Sequence, residues 1–423
     1  MKNLKQKVFD KIEENKDFIF EIGQSVLENP ELGFKEYKTA ELVKEVFRKL
    51  DIPYEDNLAI TGVKATLKGR KHNRNICIIG EMDAVKCYGH PYANKNDGAA
   101  HACGHNAQVA SMLAAAIGLK ESGVMENLDG DVTFFAVPAE EFVELEFREA
   151  LKSDGKIKWL SGKQELIEIG AFDDIDISMM VHSQAGVEGA HVFLDGSSLG
   201  FVAKNIEFIG KSSHASMPSE GINALNAATL ALMGIHANRE TFREKDCIRI
   251  HPIITNGGDL VNVVPSRVTM ETYVRGTNTE AIKDASQKTD NSIRGGAMAV
   301  GADCKITDIR GYAPLHQDIE LGKVFKENAL LFVSEDDIIH GMDMTGSTDM
   351  GDLCEIMPCI QPTMGGFNGT AHGKDFEIAD KEAAYTIPGA IMAATVIDLL
   401  EGNAKKAEEI ISIYNKNKKK GEN

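Results

Sequence analysis

Three short apolar runs that each lead directly into ionisable residues constrain this chain more than any other feature. They are NICIIGEMDAV (75–85), DVTFFAVPAEE (131–141) and IDISMMVHS (175–183). Runs of this kind read as strands buried on both faces. Between the first two lies QVASMLAAAIGLKESG (108–123), an Ala- and Leu-rich helix that stops at Gly123. Strands alternating with helices predict an α/β domain with a mostly parallel sheet and helices on both faces. In such sheets, chemistry sits where the carboxyl ends of the strands meet loops. Those ends carry Asp83, Glu140 with Glu141, and His182.

The remaining elements divide the chain. Val8, Ile12, Ile19, Ile22 and Val26 recur at helical spacing, so one amphipathic helix is expected through about residue 28, before Pro30. A second helix is expected over 41–50. After about residue 195 the texture changes. VAKNIEFIG (202–210) alternates like a half-buried strand, INALNAATLALMGIHANR (222–239) is helical, and CIRIHPIITNGG and RVTMETYVRG read as paired strands. A helix (AIKDASQKTDNSIRGGAMAVG) and a strand (DCKITDIRG) complete a small α+β unit. Helices of the first type return at 321–333 and 385–400. The 423 residues exceed one comfortable core. The division expected is 1–195 with 315–423 as one domain, and 196–314 as an insertion. The lysine-rich end, KKAEEIISIYNKNKKKGEN, is expected to fray.

Charge excludes some partners. With 46 Lys+Arg against 64 Asp+Glu, the net charge is −18, which repels nucleic acid and anionic membranes. An anionic substrate therefore needs a local cluster of donors. The N-terminus has no secretory apolar segment, and no run approaches the roughly 20 apolar residues of a membrane helix. Seven cysteines, none in a CxxC pair, argue against a disulfide scaffold and for a reducing cytoplasm.

The densest chemistry is in GAAHACGHNAQVA (98–110), where His101, Cys103 and His105 alternate in a Gly/Ala-rich loop before a helix. Thiolate and imidazole suit zinc and similar divalent ions. A buried cysteine beside two hydrogen-bonded histidines would leave the same string. Pro138-Ala139-Glu140-Glu141 places two acids at a strand end, where one could bind metal and the other could act as a base. An exposed acidic turn is the alternative. His182 ends a strand, and His372 sits in Gly369-Thr370-Ala371-His372-Gly373. Taken singly, such histidines are more often structural.

The order of these motifs resembles the amidohydrolase branch of the aminoacylase/carboxypeptidase-type metallopeptidases, which includes the auxin-conjugate and hippurate hydrolases. The matches are Gly80–Ala84, His101–Asn106, Pro138–Glu141, Val181-His182, Lys211–Pro218, Asn262–Pro265 and Gly369–His372. Gly346-Ser347-Thr348-Asp349-Met350-Gly351-Asp352 and the long Glu141–Gly170 segment look most like p-aminobenzoyl-glutamate hydrolases. Ser183 stands where the family usually has proline.

The resemblance implies a zinc-exopeptidase-like catalytic domain with an inserted lid and dimerisation domain. It implies two divalent metal ions, zinc or manganese first and cobalt or nickel as alternatives. Cys103 would bridge them, and His105, Glu141, His182 and His372 would complete the shells. Glu140 would be the general base and Asp83 would orient a ligand. Glu81 stands where the wider clan has a metal-binding histidine, so its role is open. His214 would stabilise the oxyanion across a homodimer, and Asn262 and Arg275 would bind the substrate carboxylate. The implied reaction is hydrolysis of an N-acyl or N-aroyl amino acid. A dipeptidase and a catalytically empty relative are the competing readings.

Overall fold

A computed structural model describes residues 2–420. Two compact units emerge. The first comprises residues 1–196, 316–343 and 352–423, and the second comprises 197–315 and 344–351.

The first unit is built on a six-stranded sheet, in the spatial order Tyr54–Leu58, Gly62–Leu67, Asp131–Val137, Asn75–Glu81, Ile177–Met179 and Cys359–Ile360. The first two strands form an antiparallel pair, and Gly62–Leu67 also runs antiparallel to Asp131–Val137. The remaining pairings are parallel. The sheet is mostly parallel, as expected: five strands share one direction, and only Gly62–Leu67 runs against them, because the hairpin at that edge needs no crossover. Register sets the function. Glu81 pairs with Val137, so both chains leave the sheet at the same edge, and Asp83 follows one while Glu140 and Glu141 follow the other.

The third apolar run is not one strand. Ile177–Met179 belongs to the large sheet, while His182–Ser183 pairs with Thr363–Met364 in a separate four-stranded sheet. The N–H groups of Met180 and His182 donate to the carbonyls of Ile360 and Pro362, so one neighbouring chain carries the segment from sheet to sheet.

Helix His105–Glu121 runs through the core, and every residue from His105 to Leu119 is buried. It has no polar face because helices Lys2–Glu14, Lys16–Glu28 and Ile387–Lys420 pack around it. The N-terminal apolar spacing yields two helices, not one. They meet at Asn15, whose side-chain amide donates to the Lys11 carbonyl (3.0 Å) and to Glu121 Oε2 (2.8 Å) and so competes with helical bonding.

The C-terminal segment is helical to Lys420 rather than frayed, and the last part of the expected tail, residues 421–423, lies outside the described residues. Ala407, Ile410 and Tyr414 are buried, and the Tyr414 hydroxyl donates to the Cys354 carbonyl (2.8 Å). The helix breaks at Glu401–Ala404, where three residues are left-handed. Glu382–Lys419 is long and apolar enough to cross a membrane by length and composition, although no apolar run of that kind is expected from the sequence. However, 89% of its most apolar window is buried within the protein. Cys354 and Cys359 form a disulfide, a single short loop that the cysteine spacing had not suggested.

The second unit is an antiparallel sheet with two helices. Gly200–Ile209 lies between Asp303–Arg310 and Arg267–Gly276. The segment expected as one strand before residue 258 is two short ones, Arg249–Ile250 and Ile253–Asn256, both pairing with Arg267–Gly276. Helices Ala224–Ala237 and Thr279–Ala299 are capped by the side chains of Asn223 and Asn278, each accepting backbone N–H groups of the first turn. Their small residues Ala227, Ala228, Ala231 and Ala297 share a core with Phe208, Val268 and Met270.

Phe134 is fully buried at the centre of the large sheet, with its ring centroid 6.5 Å from that of Phe47. Phe134→Ala is expected to lower stability by about 3–5 kcal/mol, read as a reduced urea midpoint at unchanged slope.

Candidate metal centre

The carboxyl edge of the large sheet brings seven of the sequence-proposed residues together. Cys103 lies in the turn before the core helix, and His105 is the first residue of that helix. Gly104 between them has φ +79°, and a Cβ there would lie 2.6 Å from the Ser183 side chain. Only glycine lets the turn sit this close to the strand of His182. The Ser183 hydroxyl, where the resembled family has proline, donates to the Cys103 carbonyl (2.8 Å) and locks the two segments. The His372 backbone N–H donates to the Ala102 carbonyl (2.8 Å), which brings the C-terminal loop to the same place.

The donor atoms converge. Cys103 Sγ lies 3.6 Å from His182 Nε2 and 3.4 Å from His372 Nε2, and the latter lies 3.3 Å from Glu141 Oε1. Three sets of donors each lie within 4.8 Å of one another: Cys103 with His105 and His182, Cys103 with Glu141 and His372, and Glu81 with His105 and Glu140. His105 Nδ1 is 2.8 Å from the Asp83 main-chain oxygen and 3.3 Å from its carboxylate. Nε2 of His105 therefore faces the cluster, 3.1 Å from Glu81 Oε2 and 3.9 Å from Glu140 Oε2. The Glu141 N–H donates to Asp83 Oδ2 (2.9 Å), so one aspartate steadies two elements of the cluster.

Electrostatics match a site shaped for cations. Burial drives the Cys103 thiol upward, but the charge of His182 and hydrogen bonds with His105, His182 and His372 outweigh it, leaving the thiol well below its usual range. Hydrogen bonds to Cys103 and Glu141 raise His372 to about 11. Burial, with the Cys103 charge adding to it, lifts Glu141 to about 7. Protons on the imidazoles here balance the negative charge of a buried thiolate and carboxylates. A divalent ion supplies the same balance with neutral imidazoles. Glu141 Oε1 and His105 Nε2 are buried without an aligned hydrogen bond, despite their close neighbours. Thiolate, imidazole and carboxylate donors with such unfilled valences fit a borderline divalent metal.

Other groups surround the cluster. His101 joins none of the donor sets; it is buried with both ring nitrogens unpartnered, and burial lowers it to about 3. Glu81 is tied to the fully buried Lys163 by an ion pair and accepts from Gln108 Nε2 (2.9 Å). Lys163 gave no signal beyond its place in Ser161-Gly162-Lys163, since only folding brings it to Glu81. Glu36 is fully buried and accepts from the Ala139 N–H (2.8 Å) and the Thr61 hydroxyl (2.6 Å).

The second unit holds the other three proposed residues. His214 and Asn262 are exposed on neighbouring loops: the Ala215 N–H donates to the Asn262 carbonyl (2.9 Å), and His214 bridges to Val263. His214 Nδ1 accepts the Ser216 N–H (3.2 Å), which leaves Nε2 as the proton-bearing donor. Arg275 is half-buried, with its guanidinium 5.1 Å from the Phe201 ring centroid and 5.3 Å from that of Tyr273, and it donates to Ser347 Oγ (2.7 Å).

An α/β fold with these donors at one sheet edge defines a metal-dependent hydrolase of amide or peptide bonds. The chain belongs to peptidase family M20/M25/M40, whose model matches residues 77–397. It is 30% identical over 355 residues to the Xaa-Arg dipeptidase of Mus musculus, covering 78% of this chain and 73% of that one. It is 26% identical to the hippurate hydrolase of Campylobacter jejuni, covering 80% of this chain and 85% of that one. A solved structure of a dinuclear metal-binding M20 peptidase from Bacillus subtilis superposes with a TM-score of 0.72 at 23% identity, covering 91% of this chain and 98% of that one.

Burial, reinforced by the Asp83 charge, raises Glu36 from 4.5 to about 7. A carboxyl whose folded pKa is raised stabilises the fold fully below its unfolded pKa, and that contribution is lost as pH rises through the folded value. In chelator-treated protein, Glu36→Gln should therefore flatten the loss of stability between about pH 4.5 and pH 7. Denaturation midpoints of wild type and variant at pH 5 and pH 7.5 check this. Equal slopes would contradict it.

Proposed function

We propose that this chain hydrolyses the amide bond of N-acyl or N-aroyl amino acids, with p-aminobenzoyl-glutamate-like conjugates the favoured class. Two divalent ions would be held by Cys103, His105, Glu141, His182 and His372. The observation that carries this reading is the sharing of Cys103 Sγ between two donor sets, one with His105 and His182, the other with Glu141 and His372. Zinc or manganese suits these donors first, with cobalt and nickel as alternatives. When bound, such ions supply Lewis acidity and make water ionisable near neutral pH.

The protein's own groups do the rest. Glu140, beside His105 in the cluster, takes the proton from water and later delivers it to the leaving amine. Asp83 fixes the ring of His105, so that Nε2 alone serves as donor. His214 presents an Nε2–H, its Nδ1 being occupied by the Ser216 N–H, and donates to the developing oxyanion. That donor would come from one protomer to the other in a homodimer formed through the inserted unit. Exposed Met233, Ile253, Leu260 and Val261 on that unit support such an interface. Arg275, stacked on Phe201 and Tyr273, offers a pre-oriented fork for the substrate carboxylate, assisted by Asn262.

A second reading, hydrolysis of free dipeptides, is favoured by the likeness to the mouse dipeptidase. A kinetic screen after metal reconstitution separates them. Hippurate, other N-acyl amino acids and p-aminobenzoyl-glutamate are compared with free dipeptides, including Xaa-Arg. Preference for free dipeptides would sink the first reading.

Glu140→Gln should lower kcat by about 10²–10⁴-fold with metal content retained, measured by elemental analysis beside steady-state kinetics. Arg275→Ala should raise KM for carboxylate-bearing substrates by about 10–100-fold with a smaller change in kcat. An unchanged KM would remove Arg275 from the site.

A further inference from the structure

The turn carrying Glu140 and Glu141 is gripped from both sides by buried side chains outside the donor sets. Ala139 has φ +55°, in the left-handed region that a non-glycine residue rarely occupies. Its N–H donates to Glu36 Oε1 at 2.8 Å. Its carbonyl accepts from the Gly162 N–H at 3.1 Å and from Arg148 Nη1 at 3.4 Å. Arg148 is fully buried, and it also donates from Nη1 to the Leu160 carbonyl (2.7 Å) and from Nη2 to the Glu141 carbonyl (2.5 Å).

A guanidinium is costly to bury, and here its planar fork is satisfied largely by backbone oxygens of the turn and of the segment behind it. The fit is tight. A Cβ on Gly33 would lie 2.4 Å from Arg148 Nη2 and 2.9 Å from Ala139 Cα, and the guanidinium lies 5.4 Å from the Phe34 ring centroid. Successive residues of an extended chain point their side chains to opposite sides. Yet Glu140 and Glu141 both reach the cluster, Glu140 beside His105 and Glu141 beside His372. The reversal of the backbone at Ala139 precedes both residues.

We propose that Arg148 and Glu36 are positioning residues: a clamp that holds the Ala139 peptide left-handed and thereby aims the Glu140 and Glu141 carboxylates into the cluster. This rests on the roles proposed above for those two acids. Glu36 holds the N–H side of the turn. Arg148 holds the carbonyl side and reaches past Glu140 to the Glu141 carbonyl. Neither side chain touches substrate.

The test is a mutant cycle on full-length protein between Arg148→Met and Ala139→Gly, because glycine adopts φ +55° without a clamp. Three quantities are read: cobalt(II) affinity of metal-depleted protein by optical titration, and kcat and KM on the best substrate of the wild type. R148M should lower both cobalt affinity and kcat, kcat by about 100-fold, with little change in KM. In the A139G background the same replacement should cost less, by about fivefold or more. R148K keeps the charge but cannot span three carbonyls; it should behave like R148M, and it replaces R148M in the cycle if that variant does not fold. Equal losses with and without A139G overturn the clamp, because a merely structural arginine would not be relieved by a glycine at 139. Unchanged cobalt affinity and kcat in R148M or R148K also overturn it. A wild type that binds no cobalt and cleaves no amide overturns the clamp together with the function proposed above, whereas the other two outcomes leave that function standing.

Discussion

Burying a thiol and four carboxyl groups at one sheet edge is the constraint on which the first unit depends. Cys103, Glu81, Asp83 and Glu140 lie near His105 and Glu141 lies beside His372, and a group of anions this deep is unstable unless cations are supplied. The fold meets part of the demand itself. Lys163 pairs with Glu81, and His182, His372 and His105 share the Cys103 thiol and the nearby carboxylates. Asp83 Oδ1, His105 Nε2 and Glu141 Oε1 are buried without aligned hydrogen bonds, an arrangement that a divalent cation would relieve.

Rigidity around the cluster follows from the same demand. The core helix is buried along nearly its whole length, so its first residue, His105, cannot shift without moving the surrounding helices. The Asp83 carboxylate anchors the loop of Glu141 while its main-chain oxygen anchors His105. The chain of His182 leaves one sheet and joins another beside Thr363, which presents the imidazole at the junction. Three left-handed residues, Gly104, Ala139 and His372, lie beside the cluster as well. Strained backbone at a site of converging donors is where a fold commonly spends stability to fix geometry.

Much of this was visible in the residues. Apolar runs ending in Asp83, Glu140–Glu141 and His182 located the sheet edge, because a buried strand that meets charge must be leaving the core. The Cys103–His105 string stood out because thiol and imidazole are good ligands for zinc-like ions, although a buried cysteine beside two hydrogen-bonded histidines would leave the same string. Other features were hidden. Asn15 splits the first helix through a bond to Glu121, which is distant in sequence. The lysine-rich C-terminus looked like a tail, yet Ala407, Ile410 and Tyr414 sit on one buried stripe once the helix docks. Arg148, Lys163 and Glu36 are charged residues in unremarkable surroundings, and nothing local marks them for burial.

The sequence by itself determined the α/β class of the first unit, the edge at which chemistry gathers, and the chemical types of the donors. These depend on apolar periodicity and on side-chain identity, which are local properties. Only the tertiary structure decided how closely the donors approach one another, that both ring nitrogens of His101 are buried without a partner, and which strand of the sheet runs against the rest. It also decided that buried cations from a distant segment support the acids. Those outcomes depend on strand register and on contacts between residues scores of positions apart, and neither is encoded in any short window of the chain.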